Sequence, residues 1–197
     1  MEKSPEAIPF NQSPATQSVQ QVFAGQILQA YVNQVQLPNG LVVDRELIHH
    51  GPAVCVLAVT NEDQVVLVNQ YRPAAGKNLY EIPAGLIDRL QGQLEEPLSA
   101  AQRELEEETH YQAGCWKKGP TFFVSPGYLD EEITLFLAQD LSVVEDPKDQ
   151  DDDEAVEWEV YNRQEISEML KKGEIVDLKT LYALQIWLGG MERDVFI

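Results

Sequence analysis

Apolar residues fall in short blocks along the chain, and the spacing inside each block separates strands from helices. Ala53 to Val59 (AVCVLAV) and Val65 to Val68 (VVLV) are nearly continuous apolar runs around the polar Thr60-Asn61-Glu62-Asp63. That is the pattern of central strands covered on both faces and joined by a turn. Between Phe23 and His50, two segments rich in β-branched and aromatic residues flank Pro38-Asn39-Gly40. Asn-Gly accepts the positive φ of a tight turn, so a hairpin is predicted there. Leu98 to Thr109 sets Leu98, Ala101 and Leu105 at helical spacing, with Pro97 near the start, where its missing N–H costs little. Strands are predicted at Thr121 to Val124, Ile133 to Ala138 and Val156 to Tyr161. Helices are predicted over Gln164 to Lys172 and Leu178 to Leu188, with Gly173 between them. From Met1 to Gln21 the chain is polar, carries Pro5, Pro9 and Pro14, and has no sustained period. A flexible or loosely docked leader is expected over residues 1–21. No internal repeat is present, and strands interleaved with helices in this order predict an α+β domain of αβα layers.

Composition narrows the partners. At 197 residues and 44% hydrophobic, the chain is long enough for one sizeable core. Fourteen basic against 33 acidic side chains give a net charge of −19, which argues against nucleic acid or an anionic membrane as the main partner. No run approaches the roughly 18 apolar residues of a membrane helix, and the opening lacks the basic start and apolar stretch of a signal peptide. A cytoplasmic location is expected. Cys55 and Cys115 lie far apart without a CxxC, so neither a disulfide framework nor a zinc knuckle is supported, and both read as buried thiols.

The densest chemical signal is Arg103-Glu104-Leu105-Glu106-Glu107-Glu108. On a helix, Glu104, Glu107 and Glu108 share one face, while Leu98 and Leu105 point about a third of a turn away, toward a core. Like charges at this spacing repel by a few tenths of a kcal/mol per pair, a cost that a divalent cation relieves. Hard carboxylate oxygens suit Mg²⁺ or Mn²⁺. Taken alone, such a run is more often a solvated acidic face.

The neighbours decide. Glu81-Ile82-Pro83-Ala84-Gly85-Leu86-Ile87-Asp88 is followed by Glu95, then by seven residues before Arg103-Glu104-Leu105-x-Glu107-Glu108. This pattern resembles the box of the Nudix hydrolase family, which reads Gly, five residues, Glu, seven residues, Arg-Glu-apolar-x-Glu-Glu-x-Gly-apolar. Two departures stand out. Nine residues separate Gly85 from Glu95, a four-residue insertion around Arg89 to Gln93, and His110 stands where the last Gly is usual. Val68-Asn69-Gln70-Tyr71-Arg72-Pro73, and Ser125-Pro126-Gly127-Tyr128 with Pro126 fifteen positions beyond Tyr111, are similar to the ADP-ribose and nucleoside diphosphate sugar pyrophosphatase branch.

The resemblance implies an α/β/α sandwich with a mixed sheet and an N-terminal hairpin or small sheet. It divides the chain into the leader, a hairpin over 22–50 and a catalytic domain over 51–197. It implies Mg²⁺-dependent hydrolysis of ADP-ribose or a related nucleoside diphosphate sugar, with Mn²⁺ as substitute. Runner-up readings are a preference for GDP-mannose or ADP-glucose, and a nucleotide-sensing module without turnover. Carried over by position, Glu104 and Glu108 are metal ligands with the Ala84 carbonyl, and Arg103 and Glu107 join the catalytic group. Arg72, Arg45, Glu81, Leu86, Pro126 and Gly127 fall to substrate binding. Arg72 has the alternative of pairing with a nearby carboxylate, and Pro126-Gly127 that of an ordinary turn.

The acid run Asp149 to Glu154 is by composition a solvated loop. In the resembled branch the corresponding loop brings a general base and a further metal ligand, which places the base at Asp152, with Asp151 and Asp153 one residue away, and the ligand at Glu154. Phe23, Tyr31, Tyr128 and Trp116 are candidates to stack on a base, although aromatic residues in strands are more often core. His49 and His50, at a strand entry, read as structural. The branch also implies a homodimer in which the hairpin reaches the partner's site.

Overall fold

A computed structural model describes residues 8–11, 13–90, 92–147 and 156–197. Among them the backbone divides into two compact units: one comprises the described residues up to Gly51 together with Phe123–Glu132, the other those of Pro52–Phe122 with Ile133–Ile197.

The first unit is an antiparallel meander of β1 (Thr16–Ala24), β2 (Leu28–Gln36) and β3 (Val42–His50). The β2–β3 hairpin turns at Asn39-Gly40, with Gly40 at φ +83°, as Asn-Gly predicts. Thr16 to Gln21, expected in the leader, instead forms most of β1, paired with β2 from Thr16 opposite Val35 to Ala24 opposite Gln29. Backbone pairing orders this Gln-rich segment, together with polar side-chain bonds to β2 such as Gln21 Nε2 to Gln29 Oε1 at 3.0 Å. Its side chains are mostly exposed, so it carries no hydrophobic alternation for sequence to show. Asp130 ties the 123–132 segment to the end of β3: one carboxylate oxygen lies 2.7 Å from His49 Nδ1 and the other accepts the His50 N–H at 2.9 Å. Asp130 thereby holds the His49 ring and the His50 backbone in place.

The second unit is built on β4 (Ala53–Ala58), in which every residue is buried. Its sheet runs β10-β11-β4-β7, with β7 at Ala84–Leu86, β10 at Tyr111–Phe123 and β11 at Glu132–Val143. β11 is parallel to β4 and β7 antiparallel, so the sheet is mixed. A second sheet, β12-β5-β6, joins β5 (Val65–Arg72), β6 (Lys77–Glu81) and β12 (Glu157–Tyr161). The turn predicted at residues 60–63 is present, with Asp63 at φ +56°, but β4 and β5 lie in different sheets, linked by a bridge between Val59 and Val65. α1 (Pro97–Thr109) lies on one side of β4 and packs Ala100, Ala101 and Leu105 against Val54, Val56 and Ala58. α3 (Leu178–Gly189), preceded by α2 (Arg163–Lys172) and followed by the short α4 (Glu192–Val195), also packs on β4 and β6. Helix, sheet and helix form the predicted layers.

Several sequence expectations are corrected. Leu98 is 40% exposed because it falls in the first turn, at the end of the stripe in which Ala101 and Leu105 are buried. Cys115 is exposed on β10, whereas Cys55 is buried in β4 and its thiol is pushed up to about 12 by burial. Tyr31 packs edge-on against Phe10 and is buried, which leaves it no face for a base, and Trp116 is half-buried with its ring edge-on to Phe136. Among the described residues, no helix is long and apolar enough to cross a membrane.

α1 ends at His110, whose φ of +60° is the left-handed cap that glycine usually fills, with its N–H donated to Glu106 O. Replacing His110 by Gly is expected to stabilise the fold by about 1 kcal/mol, after the extra backbone entropy of glycine is subtracted, as a higher urea midpoint at unchanged m-value. In the turn between β4 and β5, Asp63 receives Arg163 Nε and Nη2 at 2.6 and 3.1 Å and Trp187 Nε1 at 3.0 Å. The hydrogen bond from Arg163 holds the Asp63 carboxyl below its ordinary value of 3.8. This contribution is full above pH 3.8 and fades as pH falls through the lower value set by the fold. Asp63→Asn should therefore lower the urea midpoint clearly at pH 7, and the difference should shrink as pH falls below 3.8 toward the lower value set by the fold.

Candidate active site

Two backbone features bring the acidic face of α1 to the edge of the sheet. The first is β7, paired to β4 with Val54 opposite Gly85 and Cys55 opposite Ala84, which fixes the Ala84-Gly85-Leu86 backbone beside the helix. The second is Gly85 itself: a Cβ there would fall under 3.0 Å from the Glu104 carboxylate, so only glycine lets that group seat against the strand. Glu108 is 1% exposed and Glu104 7%. Glu108 Oε2 accepts the Ala84 N–H at 3.0 Å.

Arg103 stands among the acids. Its Nη1 donates to Glu104 Oε1 at 2.7 Å and to Glu107 Oε2 at 3.0 Å, while Nη2 donates to the Leu86 carbonyl at 3.0 Å and to Glu95 Oε2 at 3.3 Å. Burial lowers its affinity for a proton, but Glu104 and Glu107 outweigh that, and the guanidinium stays charged. The four-residue insertion forms a separate ribbon, β8 (Arg89–Leu90) against β9 (Gln93–Leu94), closed at its base where Glu95 N–H donates to Asp88 O at 2.8 Å. The ribbon thus leaves Glu95 in reach of Arg103.

Beside this group, Arg72 clamps Glu81 with two parallel bonds, Nε to Oε1 at 2.7 Å and Nη2 to Oε2 at 2.8 Å. Glu81 is 2% exposed. Burial raises its carboxyl, and Arg72 and Lys179 more than reverse this, holding it ionised below the usual range. Arg72 is also within electrostatic reach of Glu108.

The expected residues therefore divide. Ala84, Leu86, Arg103, Glu104, Glu107 and Glu108 come together, and Arg72 pairs with Glu81. Arg45 is exposed in the first unit, where Pro126 and Gly127 form the corner of a turn closed by Tyr128 N–H on Ser125 O. Asp152 and Glu154 lie outside the described residues. Lys179, bonded to Glu81, escaped the sequence reading. Its signal was available: it is the sole charged residue of α3.

A NUDIX domain model matches residues 49–184. The chain belongs to the Nudix family. It is 41% identical over 166 residues to the ADP-ribose pyrophosphatase of Bacillus subtilis (strain 168), covering 84% of this chain and 88% of that one. It is 39% identical over 170 residues to the methanol dehydrogenase activator of Bacillus methanolicus, covering 86% and 90%. A crystal structure of an ADP compounds hydrolase superposes with a TM-score of 0.77 over 92% of this chain and 97% of the other, at 22% identity, a likeness that shows the fold. The protein is a Nudix hydrolase, and Nudix hydrolases generally use divalent metal ions.

The donor set fits such an ion: two nearly buried carboxylates, one of them seated in a cradle that a Cβ at Gly85 would fill, supply hard oxygens beside a strand carbonyl edge. Among the described residues no three Asp, Glu, His or Cys side chains form a metal-holding group by themselves. Instead, the Arg103 guanidinium neutralises and orients Glu104 and Glu107.

Proposed function

We propose that this Nudix hydrolase carries out Mg²⁺-dependent cleavage of the diphosphate bond of ADP-ribose or a related nucleoside diphosphate sugar, giving a nucleoside monophosphate and a sugar phosphate. The observation that carries the reading is the seating of Glu104 and Glu108 against Ala84-Gly85, with Arg103 holding Glu104 and Glu107 in register. The activity named for the Bacillus subtilis relative supplies the substrate class. Glu104, Glu108 and the Ala84 carbonyl are the proposed ligands, with Glu154 as a further one. Mg²⁺, or Mn²⁺ in its place, supplies charge for the non-bridging phosphate oxygens and lowers the pKa of an attacking water. The chain's own groups then position and deprotonate. Arg72 binds a phosphate oxygen, Glu81 keeps Arg72 oriented, Leu86 flanks the substrate, and Asp152 in the late acidic loop accepts the proton. A cytoplasmic homodimer completes the proposal, and a fully active monomer in sedimentation would discard the dimer.

The test is product identification in ¹⁸O-labelled water with Mg²⁺ and a panel of ADP-ribose, ADP-glucose and GDP-mannose. AMP and ribose 5-phosphate should appear from ADP-ribose and stop on chelation. No product from any panel member, with Mn²⁺ also tried, overturns the reading. The activator named among the relatives favours a second reading, nucleotide sensing without turnover. Saturable ADP-ribose binding with no product would decide for it.

A further inference from the structure

The residue that sequence overlooked sits where the network around Arg72 closes. Lys179 is 8% exposed and has two acidic neighbours: its ammonium donates to Glu81 Oε2 and lies 3.1 Å from Asp177 Oδ2. Asp177 caps α3, its Oδ2 receiving Thr180 N–H at 3.0 Å and Thr180 Oγ1–H at 2.6 Å. Thr180 Oγ1 in turn accepts the Ile82 N–H at 2.9 Å. The start of α3 is thus stapled to the end of β6 through Glu81 and Ile82. Two cations, Arg72 and Lys179, face two anions, Glu81 and Asp177, so the buried group is electrically neutral as a set.

A buried pair of this kind is a poor stabiliser, because desolvation consumes most of the attraction. Arg72 and Glu81 neutralise each other and Lys179 neutralises Asp177, so charge balance alone does not require Lys179 to reach Glu81 as well. What Lys179 changes is freedom of movement. With Arg72 as its single donor, Glu81 can rotate with it. Anchored through Oε2 to an ammonium that Asp177 also holds, the carboxylate is fixed, and it fixes Arg72 Nε and Nη2 in turn. Arg72 Nη1 then has no partner among the described residues and is the edge left for an incoming anion.

We propose that Lys179 is a positioning residue for substrate binding: by anchoring Glu81 it presents the Nη1 edge of Arg72 to the diphosphate. This rests on the proposed role of Arg72 in binding substrate. Burial draws the Lys179 ammonium toward neutrality, but Asp177 and Glu81 outweigh that, so the anchor stays cationic.

The experiment compares Lys179→Met with the parent in the full chain. In metal-free protein the Arg72 Nε–H cross-peak, identified by its loss in Arg72→Ala, should be sharp in the parent and broadened in Lys179→Met. In turnover, Lys179→Met should raise KM for ADP-ribose by about tenfold while kcat stays within about threefold, a split expected from lost ground-state binding. Adding Lys179→Met to Arg72→Ala should change KM no further, since the two act as one unit. If Lys179→Met does not fold, Lys179→Met with Asp177→Asn removes one charge of each sign and carries the same measurements. An unchanged cross-peak with unchanged KM, or KM penalties that multiply in the double variant, would overturn the proposal and leave Lys179 a purely structural group. If the parent turns over no panel substrate, the substrate reading fails by itself, and the cross-peak alone still decides whether Lys179 fixes Arg72.

Discussion

Glu108→Gln is expected to lower kcat/KM for ADP-ribose with Mg²⁺ by about a thousandfold or more, equivalent to ~4 kcal/mol of lost transition-state stabilisation, at almost unchanged thermal stability. The size follows from what the substitution removes. Glutamine keeps the volume of a side chain that is 1% exposed, and its amide oxygen can still accept the Ala84 N–H. The charge disappears, and an amide NH₂ takes the place of one hard anionic oxygen that a divalent ion would use. The fold loses little, because like charges on one helix face are a cost that neutralisation relieves. The checks are steady-state kinetics, and thermal unfolding with and without divalent ion. The parent should melt higher when the ion is added, since a ligand that binds only the folded state stabilises it. The variant should lose most of that shift. Near-parental turnover would remove Glu108 from the ligand set.

Gly85→Ala reaches the same chemistry from the other side. A methyl group at this position runs into the Glu104 carboxylate. The strand cannot step back, since Gly85 lies opposite Val54 in the ladder between β7 and the fully buried β4. The flexible partner must yield, so Glu104 is displaced and its bond from Arg103 is lost with it. Activity should fall about a hundredfold or more, because misplacing a catalytic group by about 1 Å is enough for such a loss. Stability should change far less, as a side-chain end can move without unpacking a core. Kinetics together with thermal unfolding would separate the two effects. A variant as active as the parent would mean that Glu104 has room to spare.

Both predictions concern features of unequal legibility. The acidic face of α1 was readable because helical periodicity alone puts positions 104, 107 and 108 together, and β4 because a strand buried on both faces leaves an unbroken apolar run. The close approach at Gly85 was not, since a glycine's reason for being small lies in a neighbour nineteen positions away. β10 hid for another reason: Tyr111–Phe123 mixes Gly114, Gly119, Pro120 and two lysines into an irregular burial pattern, so neither period appears. The association of residues 123–132 with the first unit rests on Asp130 and the bridge between Ile48 and Leu129, contacts between distant segments that carry no local signature. Lys179 was passed over because charge ordinarily marks solvent, whereas here the exposed residue of the pair is its apolar neighbour Leu178.

The parallel ladder between β4 and β11 joins Ala53 to Ile133, eighty positions further along the chain. Pairings so remote in sequence raise contact order and slow folding. During synthesis, the strand that supports the glutamate helix must therefore wait for much of the polypeptide to emerge before its neighbour arrives. Hydrolytic competence is then a late event in the maturation of the nascent chain, acquired after α1 itself can form.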